Sequence, residues 1–171
     1  MIALGPRDLA LLVVISLVWG LNLVISKYGI EHLPPVYFSL LRFSLVALVL
    51  APFLRIRVGE MSPLIIAAVL SGGLHIALLF IGLSLAANVS SVAIATQLGI
   101  PFTTLLSVAL LGEVVRWRRL TGIGLAFAGV AVMGFDPQVA ERWGSLALVV
   151  GAAFASSLGL IAMKRVTSFR A

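Results

Sequence analysis

Val18-Trp19-Gly20-Leu21-Asn22-Leu23-Val24-Ile25-Ser26-Lys27 closes an apolar run, Leu9 to Ser26, that carries no charge over 18 residues. That length of helix crosses a bilayer, and the run ends on a lysine where the interface should lie. A weaker copy follows 137 residues later, Phe154-Ala155-Ser156-Ser157-Leu158-Gly159-Leu160-Ile161-Ala162-Met163-Lys164. Lys27 and Lys164 fall in register, Ser156 stands where Trp19 stood, and Gly159 replaces Asn22. What the echo means depends on the number of spans between the copies.

Composition sets the class. The chain is 61% hydrophobic and 11% charged, against roughly 25% charged in soluble domains. Between Met61 and Gly112 there are 52 residues without Asp, Glu, Lys or Arg. One soluble core could not hide that much apolar surface, so the sequence reads as an all-α integral membrane protein with the bilayer as its solvent. The absence of cysteine rules out disulfides and thiolate chemistry. A net charge of +6 would suggest nucleic acid in a soluble domain; here the basic residues orient the chain, and no nucleic-acid partner is expected.

The turn signals divide the chain into six spans, about 9–27, 36–54, 63–87, 91–112, 120–135 and 144–163. Arg7 precedes the first, whose apolar run is too long for a signal peptide and lacks a small-residue cleavage site. Glu31, His32 and Pro34-Pro35 form a polar break. Arg55 and Arg57 close the second span, and Ser62-Pro63 is a helix start with a capping hydroxyl and a proline at the first position. Asn88-Val89-Ser90 is the break before span four, Glu113 to Arg119 a charged loop with Trp117 as an interfacial anchor. Asp136-Pro137 ends the short fifth span, and Lys164-Arg165 closes the sixth.

With six spans, Arg7, Arg55, Arg57, Arg116, Arg118, Arg119, Lys164, Arg165 and Arg170 share one side, and Lys27 and Arg142 the other. This asymmetry places both termini in the cytoplasm of a cell (inner) membrane protein. The echoing stretches then belong to spans one and six, which cross in opposite directions. A repeat unit of five spans is inverted in the membrane, as in many secondary transporters. Residues 1–137 form one such unit, and 138–171 carry the first helix of a second.

Several pieces, in order and with matching spacing, resemble the EamA-domain branch of the drug/metabolite transporter superfamily. They are Trp19-Gly20-x-Asn22 with Lys27, Pro34-Pro35, Leu41-Arg42-Phe43, Pro101, and Leu111-Gly112-Glu113 followed by Gly122 and Gly129. The resemblance implies a ten-helix carrier of small metabolites built from two inverted five-helix halves. Trp19-Gly20-Leu21-Asn22 and Leu33-Pro34-Pro35 are most similar to exporters of O-acetylserine and cysteine. Four of the ten helices are missing, so transport is expected to need a second half or a homo-oligomer.

Five residues are candidates for a substrate cavity. Arg42 lies about 9 Å inside span two at 1.5 Å per residue. An intramembrane arginine costs at least ~2.5 kcal/mol on insertion scales and so demands a partner or water. It either anchors a substrate carboxylate or snorkels outward to pair with Glu31, Asp136 or Glu141. Asn22, His75 and Gln97 must each find a hydrogen bond within the bundle or from a solute. Trp19 beside Asn22 suits an amphipathic solute, and His75 either relays protons or is satisfied by a carbonyl. Lys27 and Glu113 are candidates for gating or for ion pairs, Glu113 with Arg116 or Arg118. Pro101 should kink span four. Gly151, Ala155 and Gly159, like Gly122 and Ala126, form small-residue faces for helix packing.

No metal ligand set or cofactor motif is present, and all six acids sit at span ends. No H-E-x-x-H motif, paired intramembrane aspartates or Ser/His pair supports an enzyme. The sequence leaves two readings open, a small-metabolite transporter and a non-transporting fragment or membrane subunit. The expected partners are the bilayer, the metabolite, and a second transporter half.

Overall fold

The computed structural model describes residues 5–53, 59 and 61–164, and among these every regular element is helical. Arg55, Arg57, Arg165 and Arg170 of the charge count, and the expected span end at Leu54, lie outside the described residues. Helix α1 runs Pro6–His32, α2 Pro35–Leu50 with a 3₁₀ turn Ala51–Phe53, and α3 Met61–Leu85. Helix α4 runs Val89–Leu111, α5 Trp117–Met133 and α6 Trp143–Lys164, with a single turn Pro137–Ala140 before α6. Five of the six are long and apolar enough to cross a membrane; α5, with 17 residues, is the short one.

The helix ends have local causes. Pro6 opens α1 at its first position, and the Asp8 carboxylate accepts from Gly5 N at 2.9 Å, satisfying an orphan amide. Pro34 drives Leu33 into an extended conformation, which ends α1, while Pro35 starts α2. The Asn88 side chain caps α4 by accepting from Ser91 N at 2.8 Å. Gly112, at φ +68°, closes α4 in the left-handed conformation that glycine adopts without strain.

Three expected boundaries shift. Residues Tyr28 to His32, expected in the loop, continue α1 for more than a turn. They are held there by the Lys27–Glu31 pair at 3.9 Å and by His32 Nδ1 donating to Tyr28 O at 2.9 Å, both at i,i+4 spacing. Trp117, Arg118 and Arg119 form the first turn of α5 rather than loop. Ser62 lies within the first turn of α3 rather than capping it.

Helix α6 forms the centre of the bundle. It packs along α3 and α4, while α1 and α2 lie against α3 and α5 is lightly held beside α4. Val149, Ala152 and Ser157 of α6 are wholly covered, as are Phe80 and Leu83 of α3. Close approach is bought by glycine: a Cβ at Gly159 would lie 2.8 Å from Ser71 Cβ and 2.9 Å from Ser71 N. Gly82 faces Val149 Cγ2 at 2.7 Å by the same measure. Gly159 meets α3 where its backbone widens into a π-helical segment, Ala68–Leu74, that contains Ser71-Gly72-Gly73. Gly159 and Ala155 are therefore packing residues, whereas Gly122 faces open space and is not.

Candidate functional site

The first polar cluster joins α1 to α2. Asn22 and Ser26 lie one turn apart on α1, and Ser26 Oγ donates to Asn22 Oδ1 at 3.3 Å. Arg42 Nη1 reaches both from α2, at 3.3 Å from Asn22 Oδ1 and 3.5 Å from Ser26 Oγ. Both contacts are at the long end for a hydrogen bond, and one guanidinium nitrogen makes them, so most of its donors remain available. Among the described residues no carboxylate lies within 4.0 Å of Arg42; the expected partners Glu31, Asp136 and Glu141 do not meet it. Asn22 is exposed at this face, and Trp19, three residues before it, is 73% exposed. Ser26 is not among the five cavity candidates; the sequence signal for it is its i+4 spacing from Asn22.

A second group gathers at the C-terminal end of α3. Lys27 Nζ donates to Leu83 O at 3.2 Å, Ser145 Oγ to Gly82 O at 2.7 Å, and Arg142 Nη1 to Leu85 O at 3.1 Å. The last carbonyls of a helix lack intrahelical partners and carry its negative dipole end, so two cations and a hydroxyl suit them. Lys27 thereby ties α1 to α3 as well as pairing with Glu31.

The third group lies at the opposite end. Lys164 Nζ reaches Glu113 Oε1 and Ser107 Oγ, each at 3.1 Å. The expected pairing of Glu113 with Arg116 or Arg118 is thus replaced by one with Lys164. Arg119 instead donates to Thr104 Oγ1 at 3.2 Å. Lys27 at the end of α1 lies beside the end of α3, where α6 begins, and Lys164 at the end of α6 lies beside the end of α4. The two echoing helices therefore run antiparallel.

His75 and Gln97 sit apart from the Arg42 cluster. His75, the first residue after the π segment, hydrogen-bonds through Nδ1 to Ala152 O at 2.8 Å. A carbonyl only accepts, so Nδ1 carries the proton. Gln97 is exposed at an interruption of α4, where Gln97 N and Leu98 N bond back three residues, to Ile94 O and Ala95 O. Pro101, buried one turn on, has no amide to return to Gln97 O. Nearby, Ser157 Oγ lies 3.0 and 2.9 Å from the carbonyl oxygens of Gly99 and Ala153, which share its one proton, and accepts from Thr103 Oγ1 at 3.0 Å.

A cavity of about 10 Å³ between Ser91, Ala95, Val139, Arg142, Ser145 and Val149 has room for a single water. None of Trp19, Asn22, Arg42, His75 or Gln97 lines it. The polar residues expected to meet a solute thus lie on open helix faces or within helix contacts. Among the described residues no group of three metal-ligating side chains converges.

The chain is 32% identical to a probable amino-acid metabolite efflux pump of Escherichia coli (strain K12), over 94% of this chain and 54% of that protein. A protein of the same description from Salmonella typhimurium is 33% identical over 92% of the chain and 53% of its own length. A biotin transporter of Salmonella typhimurium is 26% identical, over 95% of the chain and 55% of that protein. The chain therefore spans about half the length of the curated relatives it matches. No solved structure matches it significantly. The model of the EamA-like transporter family matches residues 8–135, and with the helices described above this establishes that the chain is a multi-pass membrane protein belonging to the EamA-like transporter family.

Proposed function

We propose that this chain supplies one five-helix unit of a small-metabolite carrier, together with the first helix of the inverted second unit. The pathway then runs between the two halves. The reading rests chiefly on one observation: Arg42 of α2 reaches exposed Asn22 and buried Ser26 of α1, at the edge of an open face that carries Trp19. Polar groups left on such a face in lipid would be costly. A second half facing them would turn the face into a water-filled wall. Arg42 there offers a fork that matches a carboxylate, and Trp19 offers an apolar platform, a combination suited to amino-acid-like solutes. The Escherichia coli relative, a probable amino-acid metabolite efflux pump, supports the same class.

The remaining candidates take subordinate roles. Gln97, exposed beside the break in α4, lines the same pathway. His75, already bonded to Ala152 O, serves the α3–α6 contact. Lys27 and Glu113, each in an ion pair, fix the two ends of the bundle. Both termini face the cytoplasm of the inner membrane, by the distribution of basic residues.

The test is a fusion of this chain to the remaining half of the Escherichia coli relative, with export of cysteine and O-acetylserine measured in cells. Asn22→Leu and Arg42→Gln should each lower export at least tenfold, taking one lost charge-assisted contact as worth about 1.5–3 kcal/mol, while the membrane level stays unchanged. If level and activity fall together, these residues belong to packing and the proposed wall is elsewhere.

A further inference from the structure

We propose that the start of α5 is a binding site for anionic phospholipid. Its basis is the pairing of Glu113 with Lys164. Glu113 is the one acid between Met61 and Phe135, and at 3.1 Å it is held by Lys164 from another helix. Arg119 is engaged by Thr104. Arg116 and Arg118 are exposed, and among the described residues neither meets a carboxylate within 4.0 Å. Among the described residues, two guanidinium groups two residues apart therefore stand without a carboxylate partner at the start of α5.

Exposed apolar side chains stand beside these arginines. Val114 is 96% exposed and Trp117 68% exposed, in the same short segment. The Arg118 guanidinium carbon lies 5.7 Å from the centre of the Trp117 ring, a cation–π distance that orients the charge along the ring. Farther along α5, Leu120 and Leu125 are also exposed. No side chain caps the first turn of α5, so its dipole adds to the positive potential. An anionic head group with acyl chains satisfies both halves of this surface. Guanidinium groups bind the phosphodiester by paired N–H donors, and the chains lie along Val114, Trp117 and the α5 face. Free phosphate would leave the apolar half unused.

Charge complementarity gives the expected size. One arginine near an anionic surface is worth roughly a fivefold preference, so two acting independently should enrich anionic over zwitterionic lipid by about 25-fold. The full chain, with Trp19→Phe and Trp143→Phe leaving Trp117 as the single reporter, is reconstituted in vesicles. These contain phosphatidylcholine with either phosphatidylglycerol or further phosphatidylcholine brominated near the glycerol. Quenching of Trp117 should show the anionic lipid enriched about 25-fold, falling toward parity in Arg116→Gln/Arg118→Gln and in high salt. A second readout, native mass spectrometry of the unsubstituted chain, should retain phosphatidylglycerol and lose it in the same double variant. Equal quenching by both lipids would overturn the proposal. So would displacement of the lipid by millimolar inorganic phosphate, which would mark the site as one for the free ion.

Discussion

At the scale of single residues, the cations differ in how far each is satisfied inside the chain. Lys27, Arg142 and Lys164 each find carbonyl, hydroxyl or carboxylate partners at the ends of α3 and α4. Arg42, like Arg119 and Arg142, meets neutral groups, but its contacts are the longest of the three, at 3.3 and 3.5 Å. That contrast separates an arginine available to a solute from lysines that tie helices together. Glu113 and Lys164 are each about half exposed, at 48% and 46%, so screening keeps their pair weak, about 0.2–1 kcal/mol. Glu113→Gln should therefore lower stability by less than about 1 kcal/mol, and Glu113→Lys with Lys164→Glu should recover most of it. Unfolding midpoints in mixed micelles, read as a double-mutant cycle, check this. A coupling of several kcal/mol would mean that the pair is far better shielded than its exposure indicates.

At the scale of helices, α6 holds the bundle through glycines. A Cβ at Gly159 meets Ser71 N at 2.9 Å and Ala67 O at 3.0 Å, which are backbone atoms that cannot rotate away. At Gly151 the nearest neighbour is Leu78 Cδ1 at an ordinary 3.8 Å. Gly159→Ala should thus destabilise by about 1–3 kcal/mol. Gly151→Ala should be neutral or stabilise by up to about 1 kcal/mol, since it only removes backbone freedom. Thermal unfolding of the two variants side by side tests the packing, and equal effects would contradict it. The helix limits that sequence reading located well are those with a local cause, at Pro34-Pro35, Asn88, Gly112 and Asp136. The extension of α1 to His32 was hidden because Glu31 and His32 look like loop residues, and only their i−4 bonds show otherwise. No periodicity announces the π segment of α3. The partner of Glu113 lies 51 residues away, a separation at which sequence neighbours such as Arg116 and Arg118 carry no information about the pair. In the same way Asn22 and Arg42 were legible as polar residues in apolar runs, while their contact depends on how α1 meets α2.

At the scale of the molecule, the antiparallel placement of α1 and α6 agrees with an inverted repeat, while α1 and α2 keep open faces that α6 does not cover. The chain lacks cysteine, so single cysteines report sidedness without background. His32→Cys and Gln138→Cys should react with an impermeant maleimide from outside the cell, and Arg118→Cys should not; strong outside labelling at 118 would reverse the orientation. The central claim is that the pathway needs both halves. An odd-span unit opposes its mate, so a homodimer would require copies inserted both ways, which the basic side of the chain resists. The most direct measurement is flux of cysteine or O-acetylserine into liposomes. One set holds only this chain, and the other holds it fused to the remaining half of the Escherichia coli relative. Saturable flux from the fusion and none above empty liposomes from the short chain is the predicted result; saturable flux from the short chain at the level of the fusion would contradict the account.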